Sequence, residues 1–273
     1  MGASNFHPGA PMFRSLCLSL TSCGLLLLCD SSQAEDWRYS LRAGAASVPR
    51  YSGSDERVVA PLLGAEIVSP YGVFLDTDKG VGWAFDEEDF GLRVYIGASD
   101  VRKDHKRGFK GSDELNGMGS IKSRPVLGLD GTYQMGPIVL EASFEHALEE
   151  DDDNRDTGSA WNRLKLSISM PLYEGSHGKL MGSLNSQFGD GDYVRTWYGV
   201  SAAQASRSQF RAHDTHGGLV SRGADLTWSL PLDEQWSVST VLAVQYLAGD
   251  AARSPIVERR MQASLVGQVV YSF

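Results

Sequence analysis

The sequence predicts an all-β protein: a transmembrane, antiparallel, up-and-down β-barrel of about twelve strands, with short periplasmic turns and long outer loops. Three observations carry this. Residues 261–273 alternate, with Met, Ala, Leu, Gly, Val, Tyr and Phe at odd positions and Gln, Ser, Val, Gln, Val and Ser between them. That is the strand period of two, apolar on one face and wetter on the other. The chain also carries an export signal near its start, and its connections alternate between short and long. The terminal Phe273, with Tyr271 on the same face, suits recognition by a barrel-assembly machinery; the soluble alternative for this stretch is an edge strand of a sandwich.

The export signal is the short apolar run 16–29, preceded by Arg14 and followed by Ser32-Gln33-Ala34. It is too short to span a bilayer as a helix and has small residues where a signal peptidase cuts. Cleavage is expected after Ala34, leaving 35–273 as one barrel domain. All three cysteines, Cys17, Cys23 and Cys29, lie within the signal, so the exported part has no disulfide framework and no thiol chemistry. The net charge of -9 argues against nucleic acid as a partner. No second long apolar run offers a transmembrane helix.

The strands follow in order. Trp37, Tyr39, Leu41, Ala43 and Ala45 alternate with Arg38, Ser40, Arg42 and Gly44. A turn-rich piece at 49–56 leads to a second strand over 57–68. Strands over 72–78 and 80–86 form a hairpin, and a tight acidic turn follows. Phe90, Leu92, Val94, Ile96 and Ala98 then share one face, and Arg93 and Tyr95 the other. Residues 99–123 are polar and glycine-rich without a strand period, hence a long loop. Strands over 124–134 and 137–147 precede an acidic loop at 148–160. The strand over 162–172 sets Leu164, Leu166, Ile168, Met170 and Leu172 against Arg163, Lys165, Ser167 and Ser169. A strand over 179–188 opens a long segment at 189–218, in which residues 196–201 form a strand-like island. Strands over 220–230 and 236–247 and a loop at 248–260 lead to the last strand.

Counting the island as loop gives twelve strands, an even number with both termini on the periplasmic side. Aromatics near the strand ends, among them Trp37, Tyr39, Phe90, Tyr133, Trp236 and Tyr271, fit interfacial girdles. In hydrocarbon every backbone amide needs a partner, so strands survive only as a closed ring. A lipid-facing Arg or Lys at mid-bilayer costs about 2–4 kcal/mol, which drives charge inward. Parity places Arg38, Arg42, Glu66, Arg93, Asp130, Glu141, Glu145, Arg163, Lys165 and Asp225 inside. Two outcomes stay open in so narrow a lumen: the charges pair and fill it, or they line a channel for small solutes.

Several segments carry a family resemblance. Tyr51-Ser52-Gly53-Ser54-Asp55 with Arg57 and Pro61-Leu62-Leu63 is one, and Gly72-Val73-Phe74-Leu75 running into Lys79-Gly80-Val81-Gly82 is another. Leu115-Asn116-Gly117-Met118-Gly119 and Trp197-Tyr198-Gly199-Val200-Ser201 follow, then Ser254-Pro255-Ile256-Val257 and the closing Tyr271-Ser272-Phe273. In this order they resemble the MipA/OmpV family (MltA-interacting protein). The resemblance implies an outer-membrane protein in contact with lipid and lipopolysaccharide, inserted by the barrel-assembly machinery. The family's namesake is described as a scaffold joining a lytic murein transglycosylase to a bifunctional penicillin-binding synthase; other members are porin-like antigens. The expected role is therefore a scaffold, with a narrow porin-like channel as the alternative. The resemblance picks out Tyr51, Gly53, Ser54, Trp197, Tyr198, Gly199, Ser254 and Pro255 as family-motif loop residues. The topology puts these motifs at the outer side, an awkward place to meet periplasmic enzymes.

Enzymatic readings find little. There is no Gly-x-Ser-x-Gly elbow, and no outward His faces a Ser. His213 and His216 with Asp214 offer a weak metal pattern, and two loop histidines are more often solvated. The acidic run at 149–153 lacks the glycine and glutamate that a calcium loop needs. The sequence therefore predicts no catalysis and no cofactor.

Overall fold

The computed structural model describes residues 37–149 and 156–273. The expected signal and most of the acidic run at 149–153 lie outside the described residues. Period-two alternation resolves into twelve strands: β1 (Arg38–Pro49), β2 (Arg57–Val68), β3 (Val73–Asp76), β4 (Gly80–Glu87), β5 (Phe90–Ala98), β6 (Pro125–Met135), β7 (Ile138–Ala147), β8 (Trp161–Gly175), β9 (Gly178–Gly189), β10 (Gly218–Pro231), β11 (Trp236–Leu247) and β12 (Met261–Ser272). Each is antiparallel to its neighbours in sequence, and β1 closes the ring on β12. The closing ladder runs from Ser40 opposite Ser272 to Ser47 opposite Leu265. No sheet edge is left at the seam, as hydrocarbon requires.

Burial follows parity. Along β12 the even residues from Gln262 to Val270 are buried, while Met261, Leu265 and Val269 are exposed. Along β8 Leu166, Ile168 and Met170 point outward while Lys165 and Ser169 are buried. This inside-out arrangement is that of a wall facing lipid. At the turn end, Trp37 stacks on Tyr39, and Tyr271 meets both Trp236 and Phe273 edge-on or tilted. Phe273 also packs edge-on against Tyr39 and donates its N–H to the Tyr39 carbonyl, so the C-terminus is tied across the seam.

One hairpin is shorter than its sequence suggests. The strand read over 72–78 ends at Asp76. The Asp76 carboxylate accepts N–H bonds from Asp78 (2.6 Å) and Lys79 (2.8 Å), a side-chain-closed turn that stops the strand. As a result β2 pairs with β3 only from Glu66 to Val68.

The long segment between β9 and β10 is helical. It holds α1 (Gly191–Tyr198) and α2 (Ala202–Arg207). Asp190 caps α1 by accepting from the Tyr193 N–H at 2.7 Å, and Ser201 with Gln204 forms a capping box on α2. The strand-like island at 196–201 is thus the end of α1 and the start of α2. Only Val200 keeps a β contact, an isolated bridge to His213.

Candidate functional site: a charge-filled lumen under an apolar cap

The lumen is built from inward positions of the strands. Arg42 on β1 reaches Asp76 on β3 at 2.8 Å and Asp78 in the following turn at 3.1 Å. Gly64 lies between them on β2, leaving the guanidinium room against the backbone. Glu66 pairs with Arg93 at 3.5 Å. Lys79 pairs with Asp130, which also accepts the Ser143 hydroxyl at 2.6 Å. Arg163 meets Glu145 at 2.5 Å and Asp100 at 3.6 Å. The Tyr95 hydroxyl donates to Glu145 at 3.1 Å, and the Lys79 ammonium stands 5.0 Å from the centre of the Tyr95 ring. Asp225 accepts from Asn185 at 2.7 Å. Glu141 sits diagonally from Lys165 on adjacent strands. Arg38 is exposed at the turn end, outside the cluster.

Sequence parity alone does not single out Asp76, Asp78, Lys79, Tyr95 and Asp100 as members of this network. Asp76 lies in a four-residue strand, too short for its facing to be read by period. Asp78, Lys79 and Asp100 lie in connections, where parity has no meaning. Tyr95 does lie on the inward face of β5, and its role rests on Gly128 opposite: a methyl added there would overlap the Tyr95 ring.

The long-loop end is closed by an apolar cap. Helix α1 buries Tyr193, Val194, Trp197 and Tyr198 against Tyr51, Leu115, Met118, Ile121 and Ile256 from three other connections. The ends of the wall strands supply Val126, Ala147, Trp161, Val220 and Leu247. Asp190 fastens the helix to β8 through the backbone and side chain of Asn162, at 2.8 and 2.7 Å. The Tyr193 hydroxyl descends to accept from Gln187 at 2.8 Å. Buried Arg102 donates to the Trp197 carbonyl at 2.6 Å, and Gln204 to the Met118 carbonyl at 2.8 Å. Arg124, also buried, gathers the carbonyls of Thr157, Gly158 and Ser159. Such bonds satisfy the irregular backbone where it leaves the ring.

The family-motif residues meet in this cap. The Tyr51 hydroxyl lies 3.0 Å from the Ile256 carbonyl and 3.2 Å from the Glu258 carboxylate. Ser52 and Tyr198 share a hydroxyl bond of 2.8 Å, and the Ser254 hydroxyl donates to the Tyr198 carbonyl at 2.5 Å. Gly53 has φ +103°, and its carbonyl accepts from the N–H groups of Glu258 and Arg259. A side chain there would strain the backbone and press on Val257 at 2.7 Å. Ser54 is buried and its carbonyl accepts from Gln262 at 3.3 Å, while Gly199 caps α1 through its N–H to Arg195. Pro255 follows in the chain, half-buried beside Ile256.

Burial, with Glu258 alongside, pushes the Tyr51 phenol above its usual range. Glu258 is itself raised, chiefly by burial, although an N–H from Asp55 opposes this. Burial also acts upward on Glu56, yet Lys106 and Arg50 outweigh it and hold that carboxyl below its ordinary value. Asp250 is lowered first by the His216 backbone N–H, then by the His216 ring and Arg253. His213 bonds the Asp250 carbonyl at 3.1 Å, so both loop histidines converge on one aspartate. Among the described residues no three His, Cys, Asp or Glu side chains gather as a metal site.

A closed antiparallel ring with an apolar exterior and charges inside is a transmembrane β-barrel of the outer-membrane class. The sequence model of the family described as MltA-interacting protein MipA matches residues 41–273, and the chain belongs to that family. No curated protein sequence matches it. Several solved barrels share the outline. The outer membrane channel COG4313 from Pseudomonas putida F1 is 10% identical, with TM-score 0.44, covering 89% of this chain and 97% of that one. The NanC porin is 8% identical, with TM-score 0.41 and coverages of 85% and 98%. OmpT of Vibrio cholerae is 8% identical, with TM-score 0.38 and coverages of 89% and 99%.

Proposed function

We propose that this barrel is a closed outer-membrane scaffold rather than a conduit or an enzyme, and that it holds murein-processing enzymes at the membrane through its turn end. The observation that carries this is the cap: Leu115, Met118, Ile121 and Ile256 are at most 1% exposed, packed by α1 across the mouth. Below it, oppositely charged lumen groups neutralise one another in pairs, which supports a filled interior. The family's name refers to binding MltA, and the present reading extends a murein transglycosylase partner, with a penicillin-binding synthase beside it, to this chain.

Because the motif residues are occupied in building the cap, their outer position no longer conflicts with a periplasmic partner. The turn rim is the surface that remains for one. It exposes Glu87, Glu88, Asp89, Glu174, Asp233 and Glu234, an acidic face that suits a basic one on the enzyme. The test is co-purification of a lytic transglycosylase with the refolded barrel, repeated with these six changed to Gln or Asn. Retention by the parent, falling at least tenfold in the variant, supports the scaffold. Absence of retention, together with stable open steps in planar bilayers, replaces it with the narrow channel.

A further inference from the structure

The short β3–β4 hairpin interrupts the strand pairing along β2 within the closed ring. Ala65 is the last β2 residue bonded toward it: Thr77 donates its N–H to the Ala65 carbonyl and accepts the Ala65 N–H on its hydroxyl. In an antiparallel ladder the backbone groups alternate sides, so Leu63, Pro61 and Val59 face the same way as Ala65. Past Ala65 no strand among the described residues pairs β2 on that side. Pro61 offers no N–H there, a common device on an open edge. Leu63 and Val59 are 83% and 64% exposed. On the far side of the interruption β5 ends at Ala98, and the chain crosses toward β2 as a small turn in which Arg107 and Lys110 bridge.

That turn is fixed to the β1–β2 connection. Arg50 donates to the Gly111 carbonyl at 3.1 Å, Lys106 pairs with Glu56 at 2.8 Å, and the Lys106 N–H bonds Asp113 at 2.9 Å. It thus spans the interruption at the upper rim of the lipid-facing wall. It carries Lys103, Arg107 and Lys110, which have no ion-pair partner among the described residues, and Phe109, 49% exposed. In a chain of net charge -9, these three cations and the Phe109 ring share one short turn.

We infer that the 103–110 turn is a docking surface for a phosphate-bearing lipid of the outer leaflet. The headgroup phosphates meet Lys103, Arg107 and Lys110, Phe109 enters the apolar boundary, and the acyl chains lie against the outward side chains of Val59 and Leu63. Charge selects the occupant, since three cations without ion-pair partners suit an anionic head, and the outward Val59 and Leu63 side chains suit acyl chains. Pro61 argues against an added peptide strand, which would need a donor at that rung.

The test uses the full-length barrel, refolded in a nonionic detergent and titrated with diphosphoryl lipid A by calorimetry. At about a factor of five per cation, K103Q/R107Q/K110Q weakens binding roughly 100-fold, and Phe109→Ser weakens it while leaving its salt dependence in place. Heat-modifiable gel mobility verifies that each variant folds; the three cations lie outside the hydrogen-bonded ring. Millimolar inorganic phosphate leaves lipid A binding intact. Less than a threefold loss in the triple variant, equal binding of dephosphorylated lipid A, or full competition by phosphate alone overturns the proposal.

Discussion

Gly128→Ala offers a sharp test of how the lumen is packed. The new methyl would overlap the Tyr95 ring, which must swing away. Tyr95 is 2% exposed, donates to Glu145 and lies near the Lys79 ammonium, so moving the ring breaks both contacts. Overpacking costs about 1–3 kcal/mol. Losing a hydrogen bond to a charged acceptor adds about 1.5–3 kcal/mol, and losing the cation–ring contact adds at least about 0.5 kcal/mol. The expected loss is about 4 kcal/mol, read as a lower urea midpoint for the barrel in phosphatidylcholine vesicles, with band shift on heating as the folded-state readout. Tyr95→Phe should cost about 2 kcal/mol, since only the hydroxyl bond goes. In Gly128→Ala combined with Tyr95→Ala the two losses should overlap by at least about 1 kcal/mol. If Gly128→Ala lies within about 0.5 kcal/mol of the parent, or the pair is strictly additive, Tyr95 does not rest on Gly128 and this account of the lumen is wrong.

Other expectations follow from the same contacts. Trp197→Ala removes a large side chain from the cap, costs about 3–5 kcal/mol locally, and should expose residues 189–218 to proteolysis; unchanged cleavage would contradict the packed cap. Arg163→Met removes the cation facing Glu145 and Asp100 and should lower stability by about 3–5 kcal/mol, with part of the loss recovered when Glu145→Gln is added; an additive pair would refute the ion pair. The carboxyls of Asp250 and Glu56 are held below their ordinary values of 3.8 and 4.5. Their stabilisation of the loops is therefore full above those values and disappears as pH falls through the lower folded ones. Protease resistance of the loops should decline below about pH 4, and Asp250→Asn should flatten that acid limb.

Most of the wall could be read from the sequence because alternation on a strand is a direct imprint of lipid outside and charge inside. β8 and β12 show this, with Leu166, Ile168 and Met170 outward of Lys165, and Met261 and Leu265 outward of Gln262. What escaped was decided by contacts distant in sequence. Arg42 could be placed inside by parity, but its partners Asp76 and Asp78 depend on a side-chain-closed turn shortening the hairpin. Helix α1 hides because Tyr, Val, Thr and Trp favour strands; Asp190, bonded at once to Tyr193 and Asn162, tips the segment into a helix against the cap.

The lid assembled from Tyr51, Gly53, Tyr198 and Ser254 also divides the labour of the molecule. These four residues are held in the cap through specific bonds. The hairpin ends of the opposite rim take no part in these bonds, so changes there leave the lid in place. If the barrel is the scaffold proposed above, swapping the short connections between family members, with every lid residue kept, should then change which murein enzyme is retained while leaving the barrel folded.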